Sequence, residues 1–141
     1  SIDITIGINT GNMIIGNVGS KKRLEYTAIG DQVNLAGRLD ELCPIYGSKI
    51  IVGEPTYREI KGSISCRRLD TISISEKETL NLYEPMAEDM KPFIREWESL
   101  YETIKEGDKK KSLRLLNDFM EQYPTDKAAL LYKQRLTMNE K

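Results

Sequence analysis

Between Gly30 and Glu41 the chain reads GDQVNLAGRLDE, and within this stretch Asn34 and Arg38 stand four residues apart. On a helix that spacing puts both side chains on one face. Arginine there presents a planar fork of donors suited to a phosphate, and asparagine can both donate and accept, so the pair has the chemistry to hold a phosphorylated ligand. The start of a helix adds free amides that favour anions. Spacing by itself favours a plainer reading, in which Asn34 supports the helix cap and Arg38 pairs with Glu41 on a solvated face.

Other candidates carry less chemistry. The stretch GINTGNMIIGNVGS holds Gly7, Gly11, Gly16 and Gly19, but the order of spacings fits neither a P-loop nor a dinucleotide fingerprint, so these glycines read as turn punctuation. Lys21, Lys22 and Arg23 read as a solvated loop. Trp97 and Tyr101 are at helical spacing and read as core rather than as a partner-binding groove. Cys43 and Cys66 form no CxxC pair and read as small buried thiols in a reducing compartment. The sequence contains no histidine, which removes imidazole from every catalytic or metal-binding scheme for this chain.

The elements that must position Asn34 and Arg38 follow from periodicity. Ile2, Ile4, Ile6 and Ile8 alternate with polar or small residues as in a half-buried strand, and with Met13 to Val18 they suggest a hairpin over residues 2–18 turning at Gly11. Gly16, Gly19 and the basic trio Lys21, Lys22 and Arg23 then read as a loop, and Leu24 to Ile29 as a third strand. Asp31 is suited to cap a helix whose buried stripe is Leu35, Leu39 and Leu42, ended by Pro44 and Gly47. Lys49 to Val52 reads as a strand, Glu54 to Ile60 as a short helix, and Ile64 to Ile74 with Leu80 to Tyr83 as an antiparallel pair.

After about Pro85 the period changes to three and four. Phe93, Ile94, Trp97, Leu100, Tyr101 and Ile104 mark one helix, and Leu113, Leu116, Phe119, Met120 and Tyr123 a second. A third runs from a cap at Asp126 to about Met138. The fold class is therefore α+β followed by an all-helical tail, divided into residues 1–86 and 87–141.

A chain of 141 residues with 21 basic and 22 acidic side chains is large enough for a buried core. It has no bulk field that would draw it to nucleic acid or to an anionic membrane. No apolar run approaches the ~18 residues of a membrane span, so this segment is expected to be soluble. Beginning at Ser1 inside a strand pattern, it reads as a piece of something longer.

The run GINTGNMIIGNVGSKKRLEYTAIGDQVNLAGRLDELCPIYGSKIIV resembles the C-terminal half of the class III nucleotidyl cyclase catalytic domain, the adenylate and guanylate cyclase family. It carries in order a strand ending in GIxxG, a GNxGS loop and a YTxxGDxVNxAxRL block, and LYEP at Leu82 to Pro85 resembles the point where such domains finish. The resemblance implies a partial ferredoxin-like cyclase sheet and a reaction in which the 3′-hydroxyl of ATP or GTP attacks the α-phosphate and displaces pyrophosphate. It implies two Mg or Mn ions held by a pair of aspartates, and a head-to-tail homodimer whose sites each combine residues of both protomers.

Carried over by position, Asn34 would orient the ribose and Arg38 would neutralise charge growing on the α-phosphate, while Thr27, Ala28, Asp31 and Lys77 would contact substrate. Thr27 occupies the base-reading position and points to ATP, since guanylate cyclases resembling this chain place Cys there. Two departures matter. The family's metal-binding aspartates precede the GIxxG strand and are expected outside this chain, so this segment alone is expected to bind no metal and to be inactive. Where many cyclases carry a KGK-like turn, this chain has Ile74-Ser75-Glu76-Lys77, with Lys77 the stand-in to within a residue and Glu76 repelling phosphate.

The implied whole is a bacterial-type adenylate cyclase making cyclic AMP for signal transduction, cytoplasmic on this side and open to a membrane anchor upstream. Residues 107–136, GDKKKSLRLLNDFMEQYPTDKAALLYKQRL, resemble one helix of a tetratricopeptide unit running into the next, a candidate protein-binding surface or a simple cover for the sheet. The alternatives are a degenerate cyclase-like module that binds nucleotide or only dimerises, and an interaction module led by the tail.

Overall fold

The computed structural model describes residues 3–20 and 23–138; Ile2, Lys21 and Lys22, on which parts of the first-strand and basic-loop readings rest, lie outside them. The first strand, β1 (Ile6–Ile8), runs parallel to β4 (Ile50–Gly53) with Ile6 opposite Ile50 and Ile8 opposite Val52. Among the described residues the expected hairpin over residues 2–18 does not form. Instead β2 (Ile14–Ser20) pairs antiparallel with β3 (Arg23–Ile29) as a separate two-stranded ribbon. Alternating isoleucines announce a strand but not its partner, and buried Ile51 and Val52 on β4 offer β1 a better one. Gly16 and Gly19 accordingly sit within β2 rather than in a loop.

The helix carrying Asn34 and Arg38 is α1 (Asp31–Tyr46). It opens on Gly30, whose φ of 144° and ψ of 170° belong to a region essentially reserved for glycine. Asp31 is the first helical residue, and no side chain caps the helix, contrary to the cap expected at Asp31. Pro44 lies inside the last turn rather than ending it, and the stop is Gly47 at φ 69°. The buried stripe is Leu35, Leu39, Cys43 and Tyr46, with Leu42 only partly covered.

Gly7 explains how closely α1 lies on β1: a Cβ there would meet the helix backbone, at 2.3 Å from Ala36 O and 2.4 Å from Asp40 N. Its smallness is a packing requirement, not turn punctuation. Helix α2 (Glu54–Ile60) follows β4 with Pro55 in its first turn. Strands β5 (Ser65–Ser73) and β6 (Thr79–Met86) form the expected antiparallel pair, completing a four-stranded sheet in the order β1-β4-β6-β5. Their ladder is broken by a register shift between Arg68 and Asp70.

The tail is α3 (Lys91–Glu106), α4 (Lys109–Gln122) and α5 (Lys127–Met138). Asp108 caps α4 by accepting from Lys111 N, and Asp126 Oδ2 accepts from Ala129 N in the first turn of α5. Trp97, Leu100, Tyr101, Leu116, Phe119 and Tyr132 join Leu39, Leu69 and Leu82 in one continuous buried cluster, so the tail covers the sheet.

Buried charges fasten it there. The Arg67 guanidinium donates to Glu84 at 2.8 Å and to both oxygens of Asp126 at 2.8 and 3.0 Å, and lies 4.8 Å from the Trp97 ring and 5.0 Å from that of Phe93. Asp70 Oδ2 accepts from Tyr46 of α1 at 2.6 Å and from Arg135 of α5 at 2.7 Å.

Candidate active site

Along its exposed side the first half of α1 walls an open cleft of about 540 Å³, to which it contributes Asp31, Gln32, Asn34, Leu35 and Arg38. The opposite wall is the turn between β5 and β6, through Ile74, Ser75 and Glu78. Asn34 and Arg38 are both exposed. Arg38 Nη2 donates to the backbone oxygen of Ser73 at 3.1 Å, rather than pairing with Glu41. One donor of the fork is thus engaged at the rim, and the others remain available for an anion in the cleft. The Asn34 side chain makes no hydrogen bond to another described residue, which leaves its amide available to a ligand.

The mouth of α1 is held from below. Asn9 Nδ2, just after β1, donates to Gln32 Oε1 at 2.7 Å and to Gln32 O at 3.3 Å. A Cβ on Gly11 would meet the Gln32 side chain at 2.4 Å. Helix and preceding loop are therefore fitted to one another around Gln32.

Of the six site residues expected from the sequence, the cleft brings together Asp31, Asn34 and Arg38. Thr27 and Ala28 lie on β3, opposite Gly16 and Ile15, with Thr27 exposed and Ala28 half-buried, and neither lines the cleft. Lys77 is exposed in the β5–β6 turn, where its backbone N–H donates to Ser75 Oγ at 3.4 Å, and Glu78 rather than Lys77 faces the cleft. Its charged lining is therefore Arg38 against two carboxylates, and a polyphosphate there needs counter-charge from elsewhere.

No group of three or more Asp, Glu or Cys gathers to hold a metal ion among the described residues. The described residues thus offer no cluster for the metal pair implied by the sequence resemblance, and no step below is routed through it.

Behind the cleft, burial would raise the Asp70 carboxyl, but hydrogen bonds from Tyr46, Arg135 and the Thr71 amide outweigh it and hold the group below its ordinary value. Burial pushes Glu84 up, opposed by Arg67. It also pushes the Cys66 thiol up to about 11, leaving a protonated and unreactive group. Cys43 is buried and Cys66 only partly so, and both are free.

Sequence reasoning missed the Ser73 carbonyl, Gln32 and Glu78. Glu78 follows directly on Lys77 in the β5–β6 turn that the sequence marks.

Residues 1–86 match the family model described as "Adenylate and Guanylate cyclase catalytic domain". The chain is 36% identical to the terminal-differentiation-specific adenylate cyclase of Dictyostelium discoideum in an alignment covering all of this chain, tail included, and 7% of that protein. It is 38% identical to adenylate cyclase 1 of Rhizobium meliloti over 55% of this chain and 12% of that one. Among solved structures, that of the adenylyl cyclase CyaB from P. aeruginosa superposes with a TM-score of 0.50 and 35% identity over 57% of this chain and 41% of its own. The chain thus spans a small part of the curated relatives it matches.

Proposed function

This chain belongs to the adenylate and guanylate cyclase catalytic domain family, and from that premise we propose that it supplies the transition-state half of a site converting ATP to cyclic AMP and pyrophosphate. The observation that carries the reading is the pairing of Asn34 and Arg38 on one open face of α1, across a cleft from the β5–β6 turn.

In the proposed reaction the ribose 3′-hydroxyl releases its proton to solvent and its oxygen forms a bond to the α-phosphorus as the bond to the bridging oxygen of pyrophosphate breaks. Negative charge grows on the α-phosphate oxygens. Arg38, held at the rim by Ser73 O, offers its remaining N–H groups to that charge. A donor already in place contributes most when charge appears, because nothing has to reorganise. Asn34, one turn earlier, is placed to hydrogen-bond the ribose. Thr27, on the strand leading into α1, reads the base, its hydroxyl accepting from the adenine amino group or donating to a ring nitrogen.

The two divalent ions would polarise the phosphates and the attacking hydroxyl. We assign their ligands to residues outside this chain. A homodimer fits the apolar surface left open on β2 and just before β1, where Ile14, Ile15 and Ile4 are 73%, 57% and 66% exposed.

One observation favours a second reading, a cyclase-like module that binds nucleotide or dimerises without turnover: the β5–β6 turn presents Glu78, and not Lys77, to the cleft. The test is product analysis of the polypeptide carrying both halves, given ATP or GTP with Mg or Mn. Cyclic AMP in excess over cyclic GMP is expected. Nucleotide binding without either product would support the non-catalytic module instead.

A further inference from the structure

The register shift in β5 interrupts the ladder around Leu69. A bulge of this kind leaves backbone groups unpaired and redirects the strand beyond it. Here the freed carbonyls are taken by the tail. Trp97 Nε1 of α3 donates to Arg68 O at 2.6 Å, Tyr132 OH of α5 donates to Leu69 O at 2.6 Å, and Arg135 Nη1 donates to the Asp70 carboxylate at 2.7 Å. Three consecutive residues of one strand are thus each held by a side chain from the tail.

That strand runs on to Ser73, whose carbonyl anchors Arg38. The second oxygen of Asp70 accepts from Thr71 N at 2.8 Å, stiffening the intervening backbone. The carboxylate also accepts from Tyr46 at the last turn of α1, and Lys127 Nζ at the start of α5 donates to Pro44 O at 2.6 Å. The tail therefore grips both elements whose meeting places the arginine: the end of α1, and the strand whose far end the Arg38 guanidinium touches.

We propose that Tyr132 and Arg135 are positioning residues, and that α5 sets the placement of Arg38 in the cleft by holding the β5 bulge and the end of α1. This deepens the cyclase reading and rests on it for the catalytic consequence, though not for the structural one. It also gives the tail a means of control: whatever loosens α5 lowers turnover without occupying the cleft.

Tyr132→Phe removes one hydroxyl and keeps the ring in its aromatic cluster, and Arg135→Met keeps the aliphatic stem. In the chain itself, amide hydrogen exchange should quicken at residues 35–39 and 71–74 in both variants. Faster exchange confined to α5 would overturn the proposal. In the cyclisation assay each variant should lower kcat by about fivefold to tenfold, the loss expected of one hydrogen bond of ordinary net strength, with KM for nucleotide unchanged. In an Arg38→Ala background neither should lower it further, since the route to the site has already been removed. An equal loss in that background means a general loss of stability and overturns the positioning role. If the unaltered protein makes no cyclic nucleotide, the cyclase reading fails, while the exchange measurement still decides whether α5 holds the strand.

Discussion

Substituting Asp126 by Asn leaves an arginine charge short of its partner in the interface between sheet and tail. The Arg67 side chain is only 3% exposed, and it spends two of its nitrogens on Asp126 and a third on Glu84. Removing one partner of a buried pair costs about 3–5 kcal/mol, because the other charge stays desolvated. Glu84 remains at 2.8 Å, so the low end applies, ~3 kcal/mol. The Asn side chain still offers an oxygen to Ala129 N and preserves the start of α5. Asp126→Ala loses that cap as well and should cost ~1 kcal/mol more. For a domain of this size the Asn variant should melt roughly 10 °C below the parent. Trp97, the single tryptophan, is fully buried against the Arg67 guanidinium and reports the transition by its fluorescence in urea. A loss under ~1 kcal/mol for Asn, or identical values for Asn and Ala, would refute the view that this network fastens the tail.

Gly7→Ala should destabilise the chain by about 2 kcal/mol or more, since the added carbon meets helix backbone that cannot step aside; urea unfolding of the variant reads this directly. Asp70 is held below its ordinary pKa of 3.8, so its contribution to stability is complete above that value and is lost as pH falls through the folded-state pKa. Glu84, raised above 4.5 by burial, contributes with the opposite sign and partly offsets the loss. Asp70→Asn should therefore flatten the fall of unfolding free energy below about pH 4, and an acid limb as steep as the parent's would contradict that assignment.

Periodicity located most elements because it reports which side of an element is buried. Helix α2 matched its expected limits, and the tail divided where Gly107 and Pro124 interrupt the pattern. The β5–β6 pairing was legible but the partner of β1 was not: its isoleucines look the same whether they pair with β2 or β4, and the buried Ile51 and Val52 of β4 together with the fit of Gly7 under α1 distinguish the two. Asp70 was hidden for a different reason. In CRRLDTIS, alternation puts Arg67 and Leu69 inside and Asp70 outside, but the register shift leaves Leu69 buried and buries Asp70 beside it. The cleft itself was half legible. Asn34 and Arg38 share a helix face and could be paired from spacing, whereas their opposing wall comes from a turn some 40 residues on, whose register a one-residue shift alters.

The most direct test of the account is turnover by Arg38→Ala in the polypeptide that carries both halves of the proposed site. Loss of one preorganised donor to the developing charge corresponds to ~3 kcal/mol of barrier. Cyclic AMP formation should therefore fall on the order of 100-fold, with the oligomeric state and melting temperature of the parent. Undiminished cyclic AMP formation by the variant would contradict the role given to Arg38, and with it the assignment of the α1 cleft as the site of chemistry.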